Sequence, residues 1–290
     1  MIVTLDIFSG RPNPSWTLSE GEQKQLLDRV TGRSVAPVEA AEFALGYRGL
    51  VVQTAEDDVK GLPQQFRIAG VTPTGEASRV TGDRALSLDE ENEVAQFLLT
   101  LGHAEVPDDL QQFVVGALQR RIKPQRPIEP LPIPEPAPIP VPPPCLIQNT
   151  PYNPGFWNVP EVQYWNNCYN YAMNYRSDTF AQPGKISGQM YTTLDCTNVG
   201  AAASRDGCKP TCSGIVKKVA LVIWPGMDFH WYRQHSEGFW GHKPGTTKAR
   251  NTDNQGRVIN GTSLTPATCD RGPYTAFCGY RYSPKGMKVK

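Results

Sequence analysis

Eleven of the 21 residues from Pro124 to Pro144 are proline, and this run limits what the chain can fold into more than any other feature. Proline fixes φ and has no N–H to donate, so the stretch suits neither a helix nor a central strand. It is expected as polyproline II, reaching up to about 65 Å at roughly 3.1 Å per residue. The run divides the sequence into a first domain (1–122), a linker (123–144) and a second domain (145–290). The expected role of the linker is a spacer, with a ligand for a proline-recognising domain as the alternative. Both flanking stretches read as α+β.

A chain of 290 residues with 39% hydrophobic and 20% charged residues is a globular protein rather than a disordered or membrane one. No apolar run approaches the roughly 20 residues of a membrane span, and nothing points to nucleic acid. The start, Met1 to Gly10, has neither a basic region nor a long apolar core, so it does not read as a signal peptide. The net charge of +1 conceals an asymmetry. Residues 1–123 hold 12 Lys and Arg against 18 Asp and Glu, whereas 145–290 hold 16 against 8. Such a balance favours encounter between the halves or draws an anionic polymer to the second one.

In the first domain, Ile2 to Phe8 alternates as a strand, and Arg11-Pro-Asn-Pro reads as a loop. Ser19 with Glu22 and Ser87 with Glu90 are capping-box pairs before helices ending near Val30 and Gly102. Gly49–Thr54 and Gln64–Thr72 read as strands. A last helix opens at Pro107-Asp108-Asp109 and carries Leu110, Phe113, Val114 and Leu118 at core spacing. No nucleophile, base or metal-ligand cluster is present. The domain is expected to target, dock or inhibit, through a partner or surface of its own.

All seven cysteines lie at or beyond Cys145, which suggests a disulfide-stapled second domain in a secreted or extracytoplasmic setting. Six cysteines can pair, and Cys168 is the expected odd one out. It follows Asn166-Asn167 and opens a helix from Cys168 to Tyr175, where the backbone dipole favours a thiolate. Between Gly184 and Gly214 the chain is small and polar. Lys218–Trp224, Phe229–Gln234 and Phe239–His242 then read as three strands of an antiparallel meander. Along the second strand Asp228, His230 and Tyr232 share one face, and His242 on the third can lie beside His230. A thiol and an imidazole brought together in this way attack a carbonyl carbon and protonate the leaving amine. Cys168, His230 and His242 are therefore the expected catalytic residues, with Asn251 or Asp253 as alternative third members. Gln163, Asn167 and Asp228 are expected as oxyanion or supporting groups, and Trp165, Tyr171 and Tyr232 as substrate-binding ones. No cofactor is expected. A metal site is not either, because the spacing of Cys196, Cys208 and Cys212 matches no common zinc pattern.

The run Asn167-Cys168-Tyr169-Asn170-Tyr171-Ala172 resembles the cysteine motif of CHAP amidase and peptidase domains, and His230 followed by Glu237-Gly238 and a further polar residue is similar to the wider papain-like NlpC/P60 superfamily. The resemblance covers about residues 163–244. It implies a papain-like helix and meander, and a cysteine peptidase or amidase acting on a peptide, protein or peptidoglycan. From a different class comes a second expectation, a secreted disulfide-rich glycan- or protein-binding module, or a toxin effector, without catalysis. A third makes residues 1–122 a segment that covers the cleft until the linker is cut.

Overall fold

The computed structural model describes residues 1–38, 45–54, 59, 61–71, 84–122 and 145–290. The proline run lies outside them. The chain divides into two compact units, one of Met1–Ile7 with Asn13–Pro127 and one of Phe8–Pro12 with Ile128–Lys290. Phe8–Pro12, which the sequence places in the first domain, thus makes its contacts in the second unit.

The first unit contains β1 (Ile2–Asp6), β2 (Ser15–Thr17), α1 (Glu20–Val30), β3 (Gly49–Gln53), β4 (Gln65–Ile68), α2 (Leu88–Leu101) and α3 (Asp108–Ile122). Its antiparallel sheet runs β2-β1-β3-β4. Val3 and Leu5 on β1, Leu50 and Val52 on β3, and Phe66 and Ile68 on β4 are all buried, as strand alternation requires. Both capping boxes form, Ser19 with Glu22 and Ser87 with Glu90. Leu110, Val114 and Leu118 of α3 are buried, but Phe113 is only half-buried and lies under the Arg120 guanidinium.

Asp6 is the buried charge of this unit. Its carboxylate takes Arg48 at 2.7 Å and Arg67 at 2.9 Å. Burial by itself would raise its pKa, but the two guanidiniums overcome burial and hold it well below the ordinary carboxylate range.

The second unit contains β5 (Cys145–Ile147), α4 (Pro154–Trp157), α5 (Pro160–Gln163), α6 (Cys168–Met173), α7 (Cys196–Asp206), β6 (Gly214–Trp224), β7 (Asp228–Gln234), β8 (Trp240–His242) and β9 (Ala276–Pro284). The expected meander is present as β6-β7-β8, each pair antiparallel. β9 adds to β6 antiparallel and β5 pairs with it in parallel. The face of β6 and β7 that carries Val219, Leu221, Ile223, Phe229 and Trp231 forms one core with α6.

Helix α7 occupies a stretch that reads as merely small and polar. Asp195 caps it by accepting from Asn198 N–H at 2.8 Å, Gly207 ends it at φ 118°, and Val199, Ala202 and Ala203 form its buried stripe. The cysteines pair as Cys145–Cys212 and Cys196–Cys278, leaving Cys168, Cys208 and Cys269 free and buried. The expectation of three bridges is thereby corrected to two. Cys208 is sealed in the α6 core, and Cys269 sits 4.0 Å from the Tyr232 hydroxyl.

Asp6→Asn should destabilise the protein by about 3–5 kcal/mol, because two guanidiniums are left buried without their counter-charge. The depressed pKa makes this contribution present above the unfolded value, about 3.9, and lost as pH falls below it. Urea unfolding at pH 7 and pH 3 measures both, and a gap between wild type and variant that stays the same at the two pH values would contradict the assignment.

Candidate active site

Three asparagines build the mouth of α6. Asn167 caps the helix: its carbonyl oxygen accepts from Tyr169 N–H at 3.0 Å and Asn170 N–H at 3.2 Å. Asn170 returns the bond, accepting from Asn167 N–H at 3.1 Å, so the pair forms an amide version of the capping box. Asn166 fastens the preceding turn to Val162 and to the backbone of Ser177 and Asp178. Asn174, in the left-handed region at φ 54°, ends the helix after six residues, two residues earlier than the sequence suggests. Behind this turn the buried Lys243 ammonium donates to the carbonyls of Gln163, Asn166 and Gly245.

Cys168 is fully buried, with Sγ 3.8 Å from the Phe229 carbonyl oxygen. The thiol also faces the Trp231 N–H, so its polar neighbours on β7 bracket the backbone of His230. Burial, and then the Asp228 charge, push its pKa well above the ordinary thiol value, against the opposing pull of the Trp231 N–H and Lys243. The expected ionised sulfur is therefore a neutral thiol here. Desolvation outweighs the dipole of a six-residue helix.

His230 and His242 come together. His230 Nε2 and His242 Nδ1 lie 2.8 Å apart, and His242 Nε2 lies 2.8 Å from the Thr252 carbonyl oxygen. The strand register sets His242 opposite Tyr232, and its ring stacks on Tyr232 at 4.7 Å while reaching diagonally to His230. Burial, and then Arg250, hold the His242 pKa well below the ordinary imidazole value, so the ring is neutral. A carbonyl oxygen at 2.8 Å needs a proton between it and the ring nitrogen, which puts the His242 proton on Nε2. The Arg250 Nε contact to that nitrogen, at 3.2 Å, is the longer and yields to it. His242 Nδ1 then accepts and His230 Nε2 donates. The acceptor at the end of the relay is a main-chain oxygen between the two side chains considered in its place, Asn251 and Asp253. Asp253 is engaged by Arg257 at 2.7 Å, and the main-chain oxygen of Asn251 accepts from Ile259 N–H, fixing the path of the loop that presents Thr252.

Asp228 carries a different load from the one expected. Its carboxylate accepts from Ser9 N–H at 2.6 Å, Gly10 N–H at 3.1 Å, Arg11 N–H at 3.0 Å and the Tyr274 hydroxyl at 2.6 Å. Burial raises its pKa and these donors offset part of that rise. Gly10 in turn offers its carbonyl to Asn167 Nδ2 and Gln182 Nε2, each at 2.8 Å. The Asn167 amide therefore already holds a carbonyl oxygen directly before the cysteine. The first-domain loop Ser9–Arg11 gave no chemical signal in sequence, because it contributes only backbone groups.

The remaining residues are placed as follows. Gln163 is buried and donates to the Thr246 carbonyl at 3.0 Å. Tyr171 is buried against Trp157 and bonds His235 at 2.8 Å, and Tyr232 is buried beneath the histidine pair. Trp165 is 61% exposed. Of the three aromatic residues expected to bind substrate, Trp165 is the one open to solvent. Among the described residues no three His, Cys, Asp or Glu side chains converge as a metal site, and no helix is long and apolar enough to cross a membrane.

Comparison with known proteins places part of the chain. It is 44% identical over 135 residues to insoluble matrix shell protein 1 of Ruditapes philippinarum, covering 88% of that protein and 46% of this chain. The chain belongs to the family of insoluble matrix shell protein 1. No family model and no solved structure matches it. More than half of the chain lies outside the alignment with the shell protein.

The buried groups define a pH window. His242, and His235 with its pKa lowered to about 4, are neutral in the fold, so stability should fall as pH drops below about 6.5. Cys208 and Cys269, pushed up to about 12, and Cys168 stay protonated, so stability is present below their unfolded value and lost as pH rises above about 9. Lys217, lowered to about 8, and Lys218, also lowered by burial, act in the opposite sense but are two groups against three. Thermal unfolding between pH 4 and 11 should trace a dome, and a profile still rising at pH 11 would exclude the thiol contribution.

Proposed function

We propose that the second unit is a papain-like cysteine hydrolase that cleaves an amide bond in an extracellular peptide or wall polymer. The observation that carries this reading is the relay of His230, His242 and the Thr252 carbonyl alongside a cysteine that starts a helix. The relay directs the His230 Nε2 proton toward His242, which is the orienting role that a second histidine supplies to a thiol hydrolase. In the proposed reaction His230 Nδ1 takes the Cys168 proton and the sulfur adds to the substrate carbonyl carbon. The Cys168 N–H and, once the Gly10 carbonyl has left it, the Asn167 amide hold the oxyanion. His230 then protonates the departing amine, and water hydrolyses the thioester with the same ring as base. The two disulfides suit an oxidising compartment, and the shell relative, whose name places it in an insoluble shell matrix, supports an extracellular site of action. The excess of Lys and Arg in 145–290 suits an anionic polymer as substrate.

A second reading rests on the same relative and on the burial of the thiol: the chain is a structural matrix component that binds an insoluble polymer without turning it over.

The two readings separate cleanly. Under the hydrolase reading Cys168→Ser should lower amide hydrolysis by about 10³-fold or more, as loss of a nucleophile does, with the circular dichroism spectrum unchanged. Unaltered hydrolysis in that variant would remove the hydrolase reading. Wild-type and Cys168→Ser proteins that pellet equally with an insoluble matrix polymer, with no turnover by either, would establish the structural one.

A further inference from the structure

We propose that the second unit contains a peptide-recognition groove, occupied in this structure by the chain's own Phe8–Pro12, and that its occupancy decides whether Cys168 can be reached. The groove reads main chain first. Three successive N–H groups, of Ser9, Gly10 and Arg11, converge on the Asp228 carboxylate, which turns the usual backbone anion nest around so that the carboxylate belongs to the receptor. The Gly10 carbonyl is held between the Asn167 and Gln182 amides, and the Ser9 carbonyl takes the Gly245 N–H at 3.1 Å. Gln182 is itself aimed by the Tyr191 hydroxyl, 2.8 Å from its oxygen.

Side chains supply selectivity. A Cβ on Gly10 would collide with the Phe229 ring, so the central position admits glycine alone. Arg11 donates to the Met227 carbonyl at 2.6 Å and lies over the Phe8 ring at 5.0 Å. Phe8 meets the edge of Trp224 at 6.2 Å. The ligand class is thus a peptide bent at its centre, of the pattern aromatic–small–glycine–arginine. The same groups surround the cysteine: Asn167 immediately precedes it, and Phe229 lends the carbonyl that its sulfur contacts. With the strap in place Cys168 is fully buried. The inference concerns access to the thiol and stands whether or not that thiol is catalytic.

The test is site-resolved alkylation of the full-length protein with iodoacetamide. In Gly10→Ala the Cys168 rate should rise at least about tenfold, as expected when a local opening becomes about 1.4 kcal/mol easier, while Cys208 and Cys269 keep their slow rates. Arg11→Ala, which removes the bond to the Met227 carbonyl and the contact with the Phe8 ring but keeps the three N–H bonds to Asp228, should give a smaller rise and decides the matter if Gly10→Ala does not fold. Adding the peptide acetyl-Phe-Ser-Gly-Arg-Pro-amide should restore slow labelling in either variant, and the same peptide with alanine for glycine should not. An unchanged Cys168 rate in both variants, a parallel rise at all three thiols, or equal protection by the two peptides would each overturn the proposal. None of these outcomes depends on hydrolysis, so failure here is distinguishable from failure of the hydrolase reading.

Discussion

A carboxylate taken fully out of water has to be surrounded by donors, and Asp228 sets the layout of the second unit for that reason. No single neighbouring segment supplies enough of them. Backbone N–H groups come from residues 9–11 and a hydroxyl comes from Tyr274, drawing pieces more than 200 positions apart in sequence to the start of β7. From there the consequences spread locally. The strap brings the Gly10 carbonyl onto Asn167, Asn167 caps α6, and α6 delivers Cys168 to the Phe229 carbonyl of β7. Removing the charge would undo a chain of geometric dependencies as well as one ion site.

The histidine pair obeys a separate constraint. Both rings are buried, so each nitrogen must be matched with a group of the right sense. The Thr252 carbonyl admits only a donor, and this sets the direction of both hydrogen bonds in turn. Tyr232 stacks beneath and Tyr274 stands at the edge, holding the rings in the plane that the bond requires. The Cys–His–His hydrolase proposed above rests on that arrangement.

Much of this was legible in sequence wherever local physics decides the outcome. The capping boxes at Ser19 and Ser87, the alternation of β1, and the apolar run into Trp224 lead directly to the observed elements. The nearness of His230 to His242 follows from strand alternation and a short turn. What stayed hidden was non-local or carried by the main chain. Helix α7 is written in alanine, asparagine and threonine, and only burial of its Val199–Ala202–Ala203 stripe identifies it. Cysteine arithmetic could not show that Cys208 and Cys269 remain thiols, because their fate depends on which core seals them. The strap escaped notice since Ser9, Gly10 and Arg11 act through amide hydrogens and a carbonyl, which every sequence possesses.

The same invisibility has an evolutionary side at Thr252. Its contribution to the relay is an amide oxygen, so no exchange of side chain at that position deletes it. Drift there is tolerated as long as the loop keeps its path, and a comparison of sequences by letter alone does not register it. Insertions or deletions in the turn, rather than point substitutions, are the changes that would silence it.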